Sequence, residues 1–454
     1  MYRILLFVPA LLLVTLGMSL PRTARAAPHG ITFTVNSIVD EPDAKPGDGK
    51  CKSTPGKKCT LRAAVMETNA LAGQDTIALP ANASPYQLTY TGAYNDNART
   101  GDLDILDDLV IQGGGANSTV ISGYNSDRVF HILAGKVKIL KVKITNGSAL
   151  GNFNFGGGVN VEAGATLILH KSTIENNSSW LGGGLYNAGK TTLKRSIVKQ
   201  NSVVGFGGGI QNTSTGNLRL DASTVTANSA TMDGGGIRNN GTLYLNTSTI
   251  DHNTAENGAG LAHSGTLTTM LVNSTVANND AQHQGGGIYS SGDLSLYHVT
   301  LASNTVQAVG YGKGAGLYQA PTGVAHVWNT LFDWNTFSLN TPPFSQRGDC
   351  EGAVTSHDYN FFSTTDNCAV SGTTAHDIYN TPAYSGFLAN NGGPTQTVSL
   401  PSDSAAVDII PARDCVAPDG LLLVQLTTDQ RGQPRPRDGN SDGKSKCDIG
   451  AFER

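Results

Sequence analysis

Seven glycine clusters punctuate the middle of the chain: Gly156-Gly157-Gly158, Gly182-Gly183-Gly184, Gly207-Gly208-Gly209, Gly234-Gly235-Gly236, Gly258-Ala259-Gly260, Gly285-Gly286-Gly287 and Gly314-Ala315-Gly316. Their first glycines stand 26, 25, 27, 24, 27 and 29 residues apart. A near-constant period of this length calls for a stack of equivalent units, because one such unit cannot bury its own apolar side chains. The repeat constrains architecture and leaves activity open, since a stacked scaffold suits catalysis, binding or a purely structural role.

The unit from Gly234 to Ala255 shows how one period works. Leu243 and Leu245 alternate with polar neighbours, as do Ser248 and Ile250, the pattern of strands with one buried face. Each unit is expected to hold about three short strands, with Gly and Asn at the corners where the backbone turns sharply. Laid on one another at about 4.8 Å, the units align like residues in rows. Ile174, Val198, Val225, Ile250, Val276 and Leu301 form an aliphatic row, and Ser172, Ser196, Ser223, Ser248 and Ser274 stand two residues earlier. Three residues after the aliphatic row comes Asn177, Asn201, Asn228, Asn253, Asn279 and Asn304. Stacked amides satisfy one another and the backbone groups that a bend leaves unpaired, so this row reads as structural. The sequons Asn177-Ser178-Ser179 and Asn273-Ser274-Thr275 are by-products of the same pattern. The expected fold class is all-β: a right-handed single-stranded parallel β-helix with coils of about 25 residues and a C-terminal disulfide-containing domain.

The start of the chain bears Arg3, an apolar run from Ile4 to Val14 and the small-residue site Ala24-Arg25-Ala26, which reads as a secretory signal peptide over residues 1–26. The expected destination is outside the cell, secreted or associated with a surface, with no membrane span in the mature chain. Charged residues are only 15% of the chain and the formal net charge is -4, so the basic field of a nucleic-acid binder is missing. Six cysteines fall in three local clusters, Cys51 with Cys59, Cys350 with Cys368, and Cys415 with Cys447. They permit 15 pairings. An exported chain with an even count favours disulfides, with nearest-neighbour pairing expected.

Near the mature N-terminus, Cys59-Thr60-Leu61-Arg62-Ala63-Ala64-Val65, followed by Glu67, Asn69, Ala70 and Asp75-Thr76-Ile77-Ala78-Leu79, resembles the Cys-Ser-Leu-Arg-Glu-Ala-Ile signature of the bacterial, exported CSLREA-domain parallel β-helix proteins. Thr60 and Ala63 stand where that signature has Ser and Glu. Toward the other end, Asn391-Gly392-Gly393-Pro394-Thr395-Gln396-Thr397, Ala406-Val407-Asp408, Asp429-Gln430-Arg431-Gly432, Arg435-Pro436 and Cys447-Asp448-Ile449-Gly450-Ala451-Phe452-Glu453 resemble the domain called choice-of-anchor Q. The glycine- and Asn-rich coils are also similar to those of chlamydial polymorphic outer-membrane proteins. The resemblance implies a β-helix, export, and no established reaction. The expected division is a signal peptide at 1–26, a capping segment at 27–100, coils at 101–345 and a C-terminal domain at 346–454.

Parallel β-helices often cut acidic polysaccharides, so that chemistry has to be sought among the residues. Of the motifs of pectin hydrolases of this shape only an Asp-Asp occurs, Asp107-Asp108, in a segment that reads as a solvated edge. A hydrolase would need a second carboxylate across a groove, and a lyase clustered carboxylates for calcium and a basic group to take a proton. Asp233 and Glu256 precede neighbouring glycine clusters, with Arg238 as a basic partner, and are the candidate catalytic set. Glu175 and Asp251 share a coil position three coils apart, and His252, His263 and His283 are expected at exposed corners. Asp438-Gly439-Asn440-Ser441-Asp442-Gly443 matches the first half of a calcium loop, which Asp448 or Glu453 would complete; a plain polar turn fits the same residues. Tyr186, Tyr289 and Tyr318 follow the glycine clusters at equivalent positions, suited to stacking on sugar rings or to packing between coils. The expectation leans away from enzymatic activity: a monomeric scaffold or adhesin-like protein binding carbohydrate or a cell surface, with no cofactor apart from calcium. The alternative is a polysaccharide lyase or glycoside hydrolase with an atypical site, and a third class is a purely structural coat component.

Overall fold

The structure, a computed structural model, describes residues 30–92, 96–150, 155–307, 314–339, 345–419 and 422–454; the segment read as a signal peptide lies outside the described residues. The chain forms a parallel β-solenoid in which each full coil contributes four strands. In one coil these are Leu185–Asn187, Lys190–Lys194, Ile197–Lys199 and Ser202–Val203. Each pairs in parallel with its equivalent one coil on, Leu185 with Ile210, Lys190 with Asn217, Ile197 with Thr224 and Ser202 with Ser229. The sequence pattern predicts three strands. The fourth, two residues long here and in most coils, is too short to show an alternation.

The first glycine of most clusters adopts a left-handed backbone, with φ of 63° at Gly182 and 72° at Gly207, a conformation that costs other residues strain. The second is held by proximity: a Cβ on Gly183 would sit 2.4 Å from the carbonyl oxygen of Gly208 in the next coil. These glycines lead the chain from the fourth strand into the first.

Inside, the rows expected from the sequence stack in register, with Ile174 on Val198, Val198 on Val225 and Val225 on Ile250, all buried. In the serine row each backbone amide donates to the hydroxyl of the next coil's serine, as Ser196 does to Ser223 at 3.1 Å. In the asparagine row Asn228 donates both its amide and its Nδ2 to Oδ1 of Asn253 (2.9 and 3.0 Å). The row continues past Asn304 to Asn335, whose Nδ2 donates to the buried carboxylate of Asp349 at 2.9 Å. A second ladder, not anticipated, runs Asn187 to Asn212 to Asn239 and ends on the imidazole of His263. That histidine, expected at an exposed corner, is fully buried. Burial lowers its pKa, and a neutral ring can terminate an amide ladder.

Stacking begins before the glycine clusters. Thr32–Thr34 pairs in parallel with Asp75–Leu79, which pairs with Leu109–Gly113. Between the first two lies helix α1, Leu61–Ala70, N-capped by the hydroxyl of Thr60 accepting from the Ala63 amide. Thr in place of Ser keeps that oxygen. Arg62 on this helix is fully buried, forked onto Asp40 and donating to the carbonyls of Ala98 and Gly101. Glu67 accepts the amides of Gly47 and Gly49. Arg62 and Glu67 thus close the end of the stack.

Parallel strands continue through Cys350–His357, which pairs with both the first and second sheets, to Cys368–Thr373. The remaining chain turns back along the third sheet. Gln430 is its clamp: Thr275 Oγ1 donates to Gln430 Oε1 at 2.6 Å, and Gln430 Nε2 donates to Thr249 Oγ1 and Thr395 Oγ1. Arg435, also buried, donates to Glu453, to the Gly450 carbonyl and to His298 of the coils. A side chain on Gly450 would strike Thr300 Oγ1 at 2.6 Å. The disulfides join Cys51 to Cys59, Cys350 to Cys368 and Cys415 to Cys447, the nearest-neighbour pairing.

Candidate functional site

With the third sheet partly covered by the returning chain, the first sheet and the corner before it carry the side chains of interest. The middle residue of each first strand points outward, and register aligns Asp104, His131, Asn160, Tyr186, Gln211, Arg238, Ala262, Tyr289 and Tyr318 in one row. Tyr186 stacks on Phe155, ring centroids 4.7 Å apart, and Tyr289 on Tyr318 at 5.3 Å. The three tyrosines therefore pack between coils, and their hydroxyls and ring edges line the face. Burial raises the pKa of Tyr186 and Tyr289, so both are neutral phenols.

Beside the row runs an apolar ridge. Leu150, Trp180, Val204 and Met232, from four successive coils, are 55%, 44%, 48% and 42% exposed. Backbone bonds from Trp180 to Ala149, from Gly205 to Trp180 and from Met232 to Gly205 hold this corner rung upon rung. No periodic signal announces the ridge, since its members share only exposure.

The candidate catalytic residues have separate partners. Asp233 accepts from Asn257 Nδ2 at 3.0 Å, while Glu256 pairs with His283 at 3.1 Å. Arg238 lies beneath the ring of Phe206, its guanidinium 5.6 Å from the centroid, and its Nη1 is buried without a hydrogen-bond partner. Burial lowers its pKa against the opposing pull of Asp233. Asp107 accepts the Gly73 amide and Asp108 the Lys136 amide, so this pair caps an edge. Glu175 is bridged by Lys143 and Lys199, and Asp251 is bound to Thr226 and His252.

The densest group of titratable side chains was not singled out by any motif. At the head of the outward row His131 lies between carboxylates, Nδ1 3.3 Å from Asp104 and Nε2 3.0 Å from Glu162. Burial alone would lower its pKa, but the hydrogen bonds to Asp104 and Glu162 outweigh that and raise it to about 9. Next to it Asp102 contacts Arg128 at 2.5 Å; burial raises its pKa to about 7 although Arg128 opposes this. Ligand atoms of Asp96, Asp104 and His131 lie within 4.8 Å of one another. A metal binding here would have to displace the imidazole's proton.

In the calcium-like loop, Asp438 accepts the amides of Asp442 and Gly443, and Asn440 Oδ1 accepts the Asp442 amide. Asp448 is buried, accepts the amides of Asp408 and Arg454, and is pushed up to about 7 by burial and by Glu453. Much of the loop's oxygen capacity is thus used by its own backbone.

No protein-family model matches the chain, and no curated protein does. Among solved structures, the crystal structure of pectate lyase Pel9A is similar to it, with a TM-score of 0.48 and 13% sequence identity, covering 94% of this chain and 98% of that one. A likeness at that level gives no residue of this chain a role. The class of protein defined here is a disulfide-bonded parallel β-solenoid, in which no described helix is long and apolar enough to cross a membrane.

Proposed function

We propose that this chain is an exported, non-catalytic β-solenoid of the CSLREA and choice-of-anchor Q kind that binds polysaccharide along its first face. The observation that carries this reading is the exposed ridge of Leu150, Trp180, Val204 and Met232 beside the stacked Phe155 and Tyr186. An apolar strip running over several coils and bordered by amides and hydroxyls is costly to leave in water. Aromatic faces next to polar edges suit the apolar side of a sugar ring, with hydroxyls bonded at the rim. Repetition along the axis lets weak contacts add.

Catalysis is the second reading, favoured by the lowered pKa of Arg238 beside Asp233. Against it stand the ring of Phe206 over the guanidinium and the engagement of Glu256 by His283. A glycan-array screen run beside a reducing-end release assay on acidic polysaccharides separates the two. Binding without product, weakened in Trp180→Ala, is expected. Product formation that disappears in Asp233→Ala would replace this reading with the enzymatic one.

A further inference from the structure

A different corner of the solenoid carries a separate signal. Where the second strand turns into the third, each coil places one residue in the left-handed conformation, with φ of 57° at Lys141, 51° at Lys171 and 48° at Arg195. The following coils have Ala222 and Thr247 there. Backbone bonds confirm the stacking, Lys141 donating to His170, Lys171 to Lys194 and Arg195 to Asp221. Three cations therefore ride one above another at a spacing of about 4.8 Å, in a conformation that favours glycine or asparagine. Lys136, Lys138, Lys190 and Lys194 lie along the adjoining long strands.

Local acids do not balance this charge. Among the described residues, Lys141, Lys171, Lys194 and Arg195 enter no ion pair, while the nearby Asp221 is taken by Arg219 and Glu175 by Lys143 and Lys199. Lys141, Lys171, Lys194 and Arg195 are all exposed. The imidazole of His170 registers the field: burial and then the charges of Lys171, Arg195, Lys194 and Lys141 lower its pKa. Like charges stacked at strand spacing repel, and the fold draws no pairing from them in return.

We propose that Lys141, Lys171 and Arg195 form a binding strip for a linear acidic polysaccharide laid along the solenoid axis, one carboxylate or sulfate per coil. The rise per coil is comparable to the length of one sugar unit, so successive acidic groups meet successive cations. The two lysines supply point charges, and the Arg195 fork can take a carboxylate in bidentate fashion. The outward row of the adjoining long strands reads Lys138, Ile168 and Thr192. Apart from the imidazole of His170 on the same outward side, these strands offer no ring on which a nucleobase could stack, short of the successive aromatic platforms that single-stranded nucleic acid uses. The strip is independent of the apolar ridge.

The test uses the whole mature protein and polygalacturonate as probe, with affinity measured by titration calorimetry at low and raised salt. The wild-type chain is expected to bind, more weakly as salt screens the charges. The variant Lys141→Gln/Lys171→Gln/Arg195→Gln should lose about tenfold or more in affinity, whereas Lys50→Gln/Lys52→Gln/Lys58→Gln, with the same charge removed elsewhere, should stay within about twofold. Melting curves establish that both variants fold. The strip is refuted if the wild type does not bind, if both triple variants lose affinity equally, or if an oligothymidylate binds the corner as tightly.

Discussion

Replacing Asn253 by Ala strikes the ladder on which the coil spacing depends. Asn253 is fully buried. Its Oδ1 accepts two bonds from Asn228, and its Nδ2 donates to Asn279 Oδ1 at 2.9 Å and to the Val225 carbonyl at 3.0 Å. Alanine leaves the Asn228 amide without a partner at a site that water cannot reach, a loss of about 1–3 kcal/mol. The other three bonds contribute about 0.5–1 kcal/mol each, because Asn228 and Asn279 keep further partners, so the total comes to roughly 2.5–6 kcal/mol. Thr254→Ala, one residue on and exposed, should change stability by no more than about 0.5 kcal/mol. Urea unfolding followed by circular dichroism measures the difference, and hydrogen exchange locates it, because a solenoid can open near the damaged coil before it unfolds as a whole. Loss of protection should centre on the coils of Asn228, Asn253 and Asn279. A cost below about 1 kcal/mol, or exchange that rises evenly along the chain, would refute the claim that amide stacking sets the coil geometry.

Three further outcomes follow. The pKa of His131, raised to about 9 in the folded chain against about 6.5 unfolded, gives stability that is complete below pH 6.5 or so and fades as pH rises through about 9. The melting temperature should therefore fall between pH 7 and pH 10, and His131→Gln should flatten that decline; an unchanged slope would contradict the pairing with Asp104 and Glu162. Arg435→Ala leaves the buried Glu453 carboxylate unpaired, a cost of about 3–5 kcal/mol, and limited proteolysis should release the returning segment sooner than in the wild type. Ile250→Ala should cost about 2–5 kcal/mol through the cavity it opens in the aliphatic row, measured by the same urea titration.

How much was legible depended on periodicity. The aliphatic, serine and asparagine rows recur once per coil, so their positions alone showed that Ile174, Val198, Val225 and Ile250 stack. The second and third strands also declared themselves, since Leu243 and Leu245, and then Ser248 and Ile250, alternate with polar neighbours. The fourth strand, two residues long in most coils, could not, being shorter there than any alternation. The candidate site fared worse because its members belong to no shared pattern. Trp180, Val204 and Met232 matter through exposure on successive coils, and His131 through carboxylates contributed by the coils on either side of its own. His263 was misplaced for a related reason: it sits one residue into the turn by sequence, yet register puts it beneath Asn239 at the end of an amide ladder. The basic corner escaped notice because the net charge of the whole chain is slightly negative, and only the stacking brings Lys141, Lys171 and Arg195 together.

The account rests most on the first face being a sugar-binding surface, and a crystal structure of the protein soaked with an oligosaccharide selected on the array tests that directly. Sugar rings should lie along the axis against Trp180 and Met232, with hydroxyls near Tyr186 and the bonds between sugars intact. A first face left bare while rings bind elsewhere, or a cleaved product seated over Asp233, would contradict it.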